Sequence, residues 1–141
     1  MPTKIHKDFH GALSAGFQYL AERYGQGDLE EYLELCAQNI YGRLAEEIKK
    51  DGLQALEKYW QEIFSLEEAK FRIKREQSEI KLIVAECPAL VHIKQAGYPV
   101  YKDFCAQCRI INSVIARMTG LESTVKSDQT RARCTQTFKT K

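Results

Sequence analysis

Several features that assign proteins to a functional class are absent from this sequence. It has no apolar run near the roughly 18–20 residues that a membrane span needs, and Met1 to His10 carry no apolar signal core. Glycine-rich nucleotide loops, the Gly-x-Ser-x-Gly elbow and the His-Glu-x-x-His zinc motif are also missing. These absences predict a cytoplasmic protein without membrane partners, and they disfavour the common nucleotide-binding and zinc-protease classes.

An excess of charge of one sign is also missing, because 21 Lys and Arg residues stand against 19 Asp and Glu residues. The formal net charge of +2 is smaller than a phosphate-backbone binder usually carries, so we expect no nucleic-acid partner. The 141 residues contain neither repeats nor a Pro/Gly/Ser linker. This length and continuity predict a single domain over residues 1–141.

The first half of the chain has the three- and four-residue spacing of apolar side chains that is typical of helices. The spacing predicts helices over residues 8–24, 28–50 and 51–68. Asp28 and Asp51 are predicted as the N-caps of the second and third helices, because a Glu or Gln follows each three residues later. Cys36 falls on the apolar stripe of the second helix, which predicts a core position for it.

Apolar and polar residues alternate after residue 70, and this period predicts strands. The pattern indicates a hairpin that starts near Phe71 and ends at Cys87-Pro88, since proline cannot continue a central ladder. A short helix over 89–97, a long helix over 101–119 and strands near 121–125 and 134–138 follow. This order predicts an α+β fold, with N-terminal helices packed on a four-stranded antiparallel sheet and one long helix between two β-hairpins.

Five cysteines are an odd number, so a monomer cannot pair all of them, and cytoplasmic thiols stay reduced. Cys87 is the leading candidate for function because it ends a strand, where a rigid backbone can present a side chain to a cleft. His92 follows five residues later, and an imidazole can take the proton of a thiol nucleophile. We therefore predict Cys87, His92 and Glu86 as catalytic residues.

Cys105 and Cys108 form a Cys-x-x-Cys pair on the long helix, where residues three apart share a face. Cys105 lies on the more polar side with Arg109 and Asn112, whereas Cys108 falls on the apolar stripe. A helix start near Cys105 would favour its thiolate through the helix dipole. Cys134, in the last strand, points either into the core or towards Cys87.

Two alternatives to catalysis stay open at this point. The chain has enough soft ligands for a zinc ion or an iron–sulfur cluster, namely Cys87, His92, Cys105, Cys108 and Cys134. The thiols would otherwise line the pocket of a small-molecule-binding or sensor domain that performs no chemistry. His10, on the first helix, is a weaker candidate than His92.

The chain resembles the family named for L-2-amino-thiazoline-4-carboxylate hydrolase over nearly its whole length. The resemblance is carried by His10-Gly11, Glu67-Glu68, Glu86-Cys87-Pro88-Ala89 with His92, Phe104-Cys105, and Cys134-Thr135-Gln136-Thr137-Phe138. It implies hydrolytic opening of a thiazoline ring, with Cys87 attacking an amidine-like carbon and His92 or Glu86 transferring protons. The layout is also similar to small-ligand-binding domains related to the vinyl reductase of bacteriochlorophyll synthesis.

The final hairpin departs from that family, in which it is glycine-rich. Residues 127–134 contain no glycine here, and Arg131 and Arg133 stand in place of small residues. These arginines favour an anionic substrate whose carboxylate they would clamp, with Cys105, Arg109 and Asn112 beside it. The expected partners are a small-molecule substrate or ligand and a second copy of the chain in a homodimer.

Overall fold

The computed structural model describes residues 6–141, which contain six helices and four strands. In chain order they are α1 (Asp8–Tyr24), α2 (Gln26–Ile40), α3 (Gly42–Asp51), α4 (Leu53–Leu66), β1 (Lys70–Arg75), β2 (Glu79–Glu86), α5 (Pro88–Gln95), α6 (Ala106–Thr119), β3 (Leu121–Asp128) and β4 (Arg133–Thr140). The predicted α+β class, with a long helix between two hairpins, is confirmed. Within the described residues, no helix is both long enough and apolar enough to cross a membrane.

The four strands form one antiparallel sheet in the order β1-β2-β4-β3. The second hairpin therefore joins the first through β4, which pairs with β2 and places Val84 opposite Cys134 and Ile80 opposite Phe138. Alternation along each strand turns Ile80, Val84 and Phe138 to one face, where they are buried. This inner face packs against residues of α3, α4 and α6.

The core consists of two clusters that meet at the start of α5. One cluster joins the sheet to α3, α4 and α6, and Trp60 packs on Phe138 within it at a ring-centroid distance of 5.8 Å. The other joins α1, α2 and α5, with Phe17 packed on Phe104 at 5.9 Å. Cys87 packs against both clusters. The residue that the sequence favours for function therefore lies where the two halves of the core join.

The predicted helix over residues 28–50 is two helices in the structure. The chain leaves helical geometry at Tyr41 (φ −102°, ψ 9°), between α2 and α3. Asp28 lies inside α2, and Asp51 is the last residue of α3, so the N-cap predictions for both residues are wrong. The caps are instead Gly25 and Gly52, whose positive φ values suit glycine.

Cys36 is not the core residue that its spacing predicted. Leu29, Leu33 and Ala37 form the buried side of α2, and Ala37 is 0% exposed, whereas Cys36 is half-buried. The long helix also begins at Ala106, five residues later than the predicted residue 101. It ends at Gly120 in the left-handed conformation, as the sequence indicates.

Candidate functional site

A cavity of about 350 Å³ lies between the inner face of the sheet and helices α1, α4 and α6. Val84, Cys134 and Gln136 of the sheet form one wall, and Trp60 and Ile111 lie among the helical side chains of the other. Most of the exposed surface inside the cavity is apolar. Its size is at the lower end of the range of about 300–1,000 Å³ that is usual for ligand pockets.

Four of the five cysteines line this cavity, and three elements position them. Cys87 precedes α5, Cys105 and Cys108 lie at the start of α6, and Cys134 lies on the inner face of β4. The Cys87 N–H donates to the carbonyl of Ala132 at 2.7 Å, which ties the start of α5 to the β3–β4 turn. The structure thus brings together the thiols that the sequence singled out.

Burial makes these thiols poor nucleophiles. Loss of hydration raises the pKa of Cys87, and the backbone N–H groups of Leu90 and Ala89 at the start of α5 oppose this only in part. Burial also raises the pKa of Cys105, although α6 begins directly after it. The pKa of Cys134 rises to about 11 for the same reason.

The pKa of Cys108 is raised well above the usual thiol value, again chiefly by burial. All four thiols are therefore neutral near pH 7, and a neutral thiol is a poor nucleophile.

His92 and Glu86 lie outside the cavity lining. His92 Nε2 donates to Asp8 Oδ1 at 2.8 Å, and this hydrogen bond holds the pKa of Asp8 below its usual value. Glu86 is exposed and accepts from Lys70 Nζ at 3.3 Å. The structure therefore does not place an imidazole or a carboxylate from this pair beside the Cys87 thiol.

The arginines predicted to clamp a carboxylate have other partners. Arg109 forms two bonds to Asp103, at 3.1 and 2.9 Å, and an exposed Arg131 lies 3.8 Å from Asp128. Arg133 is exposed and reaches the edge of the cavity. Of the residues predicted to bind substrate, Cys105, Asn112 and Arg133 line the cavity, whereas Arg109 and Arg131 do not.

Asn112 is a structural element of the cavity wall. Its Nδ2 donates to Gln136 Oε1 at 2.7 Å, and both side chains are buried. The pair joins α6 to β4, and its hydrogen bond replaces hydration that the two amides lose on burial.

One pair in the cavity, His10 and Glu67, is only weakly indicated by the sequence. His10 Nε2 lies 2.5 Å from Glu67 Oε1, and the two side chains are only 8% and 12% exposed. Both line the cavity, with His10 on α1 and Glu67 directly after α4. His10 lies one helical turn from Ser14, which is also buried, so the inner face of α1 is partly polar and apolar periodicity does not reveal it.

The metal-binding prediction for Cys87, His92, Cys105, Cys108 and Cys134 is wrong. Across residues 6–141, no three His, Cys, Asp or Glu side chains converge to hold a metal ion. The physical reason is that the four thiols line the wall of an apolar cavity, while His92 bonds to Asp8 elsewhere.

Comparison with known proteins relates the chain to a solved structure. No family model matches the sequence, and neither does any curated protein. The fold is similar to that of trafficking protein particle complex subunit 3 from Naegleria fowleri, whose crystal structure has palmitic acid covalently bound. The TM-score is 0.51 at 14% identity, and the match covers 96% of this chain and 97% of the other. At this identity the likeness shows a shared fold.

The prediction of a thiazoline hydrolase is wrong, because the matched fold is that of a trafficking-complex subunit and points away from a hydrolase. The geometry agrees, since Cys87 is neutral and His92 and Glu86 do not reach it. The catalytic roles assigned to these three residues are withdrawn with the hydrolase. The comparison does not support the metal or sensor alternatives either. The resemblance in sequence to the hydrolase family stays a prediction.

Proposed function

We propose that this protein is a non-enzymatic carrier of one long hydrocarbon chain, of the fatty-acyl type, held non-covalently in the cavity. The observation that carries the proposal is the apolar cavity of about 350 Å³ between the sheet and the helices. The similar fold of a protein solved with palmitic acid favours a lipid chain over other apolar occupants.

The lining suits a hydrocarbon because aliphatic and aromatic side chains make up most of it, among them Leu13, Tyr59, Trp60, Phe64 and Ile111. Each methylene group moved from water into such a site contributes about 0.8 kcal/mol to binding. A chain of many methylenes therefore gains considerable affinity without a charged contact. This matches a site in which Arg109 and Arg131 are already paired elsewhere.

Non-covalent binding is favoured by the state of the thiols. Attack on a thioester requires a thiolate, and burial raises the pKa of Cys87, Cys105, Cys108 and Cys134. Neither His92 nor Glu86 is placed to activate Cys87, since His92 bonds to Asp8 and Glu86 bonds to Lys70. The proposed mode thus differs from the covalent palmitic acid of the similar structure.

A matched pair of substitutions tests the proposal. Cys134→Phe places a ring inside the cavity, whereas Cys36→Phe makes the same change on α2 outside the cavity lining. Delipidated protein is titrated with tritiated 1-hexadecanol and palmitic acid, and circular dichroism checks that each variant is folded. We expect one bound chain per wild-type molecule, at least tenfold weaker binding by Cys134→Phe and unchanged binding by Cys36→Phe. The proposal fails if wild type binds neither probe or if folded Cys134→Phe binds like wild type.

A second function is favoured by the surface of α2, where three large apolar side chains are exposed. Tyr32 is 44%, Leu35 51% and Ile40 68% exposed. Apolar groups gathered on one element are typical of interaction sites, and the similar structure is a subunit of a complex. We propose that this surface joins two copies of the chain in a homodimer.

Sedimentation equilibrium tests this assembly with Leu35→Asp and, as its control, Tyr19→Asp on α1, where Tyr19 is 54% exposed. Wild type and the control are expected to be dimeric, whereas Leu35→Asp is expected to be monomeric because a buried unpaired charge is costly. A wild-type protein that stays monomeric at high concentration contradicts the proposal.

A further inference from the structure

One buried ring nitrogen in the cavity has no partner. His10 Nε2 bonds to Glu67 Oε1, but His10 Nδ1 is buried and makes no hydrogen bond to any residue that the structure describes. More than about 90% of buried polar groups in folded proteins are paired, so an unpaired one requires an explanation. His10 is 6% exposed and belongs to the cavity lining, so an occupant of the cavity that moves the side chains covering Nδ1 is the natural partner.

The Glu67 contact determines which kind of group can hydrogen-bond to His10 Nδ1. A carboxylate is an acceptor only, so the proton of the 2.5 Å contact belongs to Nε2 and Nε2 donates. In a neutral imidazole the other nitrogen, Nδ1, then carries a lone pair and acts as an acceptor. Nδ1 of this tautomer therefore needs a partner that donates a hydrogen bond.

We infer that His10 Nδ1 accepts a hydrogen bond from a hydroxyl group at the end of the bound chain, so the ligand is a long-chain alcohol. This inference rests on the proposed function and adds the chemical class of the ligand. Glu67 is then a positioning residue, because it fixes the proton on Nε2 and keeps Nδ1 free to accept. A second polar pair of the wall, Asn112 and Gln136, bond to each other.

Two probes of the same chain length separate hydrogen-bond donation from bulk. 1-Hexadecanol donates and accepts a hydrogen bond, whereas hexadecyl methyl ether only accepts. A net hydrogen bond contributes about 1 kcal/mol, so wild type is expected to bind the alcohol about 5- to 10-fold more tightly than the ether. His10→Phe keeps a ring of similar size but cannot accept a hydrogen bond, so the ratio of the alcohol affinity to the ether affinity is expected to fall to about 1.

Leu13→Ala is the matched control on the same helix, because Leu13 lines the cavity without a polar atom. It is expected to weaken both probes equally and to leave their ratio unchanged. Should His10→Phe fold poorly because Glu67 is left buried, the double variant His10→Phe/Glu67→Leu removes both partners and is expected to give the same ratio of about 1.

Nitrogen-15 resonances of His10 provide a readout that a packing role would not change. We expect a proton on Nε2 and a bare Nδ1 in the empty protein, with the Nδ1 resonance moving when the alcohol binds and not when the ether binds. Equal affinity for alcohol and ether in wild type overturns this inference and leaves the carrier function intact. The inference is also overturned if wild type binds palmitate more tightly than the alcohol and His10→Phe loses this preference. That preference would require an imidazolium whose Nδ1 donates to the carboxylate. Binding of neither probe overturns the carrier function as well.

Discussion

Removal of one member of the buried amide pair tests whether the cavity wall is as dry as its lining indicates. Asn112→Leu keeps the branching and the number of side-chain heavy atoms, but it takes the amide donor away from Gln136, which is buried on β4. A buried amide oxygen without a partner costs about 1–3 kcal/mol, and part of this is offset by the apolar leucine. We expect the free energy of unfolding to fall by about 1–2 kcal/mol.

The double variant Asn112→Leu/Gln136→Met replaces both amides by apolar groups of similar shape. Such a replacement is close to neutral, so we expect it to recover to within about 1 kcal/mol of wild type. Urea unfolding measures the free energy of unfolding of wild type, the single variant and the double variant, and equal m-values make the three comparable. Gln61→Leu is the control, because it removes the exposed bond from Gln61 to Ser65 and is expected to change stability by less than about 0.5 kcal/mol.

A dry cavity wall would be contradicted by an Asn112→Leu variant as stable as the exposed control, or by a double variant no more stable than the single one. Either result would mean that water inside the cavity satisfies Gln136, and a wet wall would not favour a hydrocarbon chain.

Three further predictions concern the titratable side chains. Iodoacetamide is expected to label folded protein at Cys36 well before Cys87, because burial raises the pKa of Cys87; peptide mass spectrometry measures the order, and equal rates would argue against it. Burial raises the pKa of Cys134 to about 11 from 9.0, so the unfolded chain loses this proton first. The free energy of unfolding should therefore fall as the pH rises from 9 to 11, less so in Cys134→Val; equal losses would contradict this assignment. His92→Ala is expected to leave chain binding unchanged, because His92 bonds to Asp8 outside the cavity lining; a tenfold loss in the same titration would be inconsistent with that placement.

Local sequence signals predicted most of the fold. Helix α1 has the predicted bounds Asp8–Tyr24, and the period-two runs after residue 70 are strands that pair as antiparallel hairpins. The signals failed where two elements share one apolar stripe. Leu29, Leu33, Leu44 and Ile48 keep helical spacing across the turn at Tyr41, so the periodicity does not reveal the break.

The candidate site was only partly predictable, because its members come from distant parts of the chain. Cys87 was identified from its position at a strand end, and this local cue depends on no tertiary contact. The pair of His10 and Glu67 spans 57 residues, and no local pattern indicates that α1 packs beside the end of α4. His92 lies close to Cys87 in sequence, but α5 directs it towards Asp8.

Mass spectrometry of the natively purified protein shows whether the cavity holds a hydrocarbon chain. Under native conditions we predict a mass that exceeds the chain by one long hydrocarbon ligand, and after denaturation the unmodified mass of the 141-residue chain. The Cys36→Phe protein should keep the additional mass, and the Cys134→Phe protein should lose it. A native mass equal to that of the bare chain after exposure to 1-hexadecanol and palmitic acid, or an acyl group that survives denaturation on a cysteine, would contradict the account.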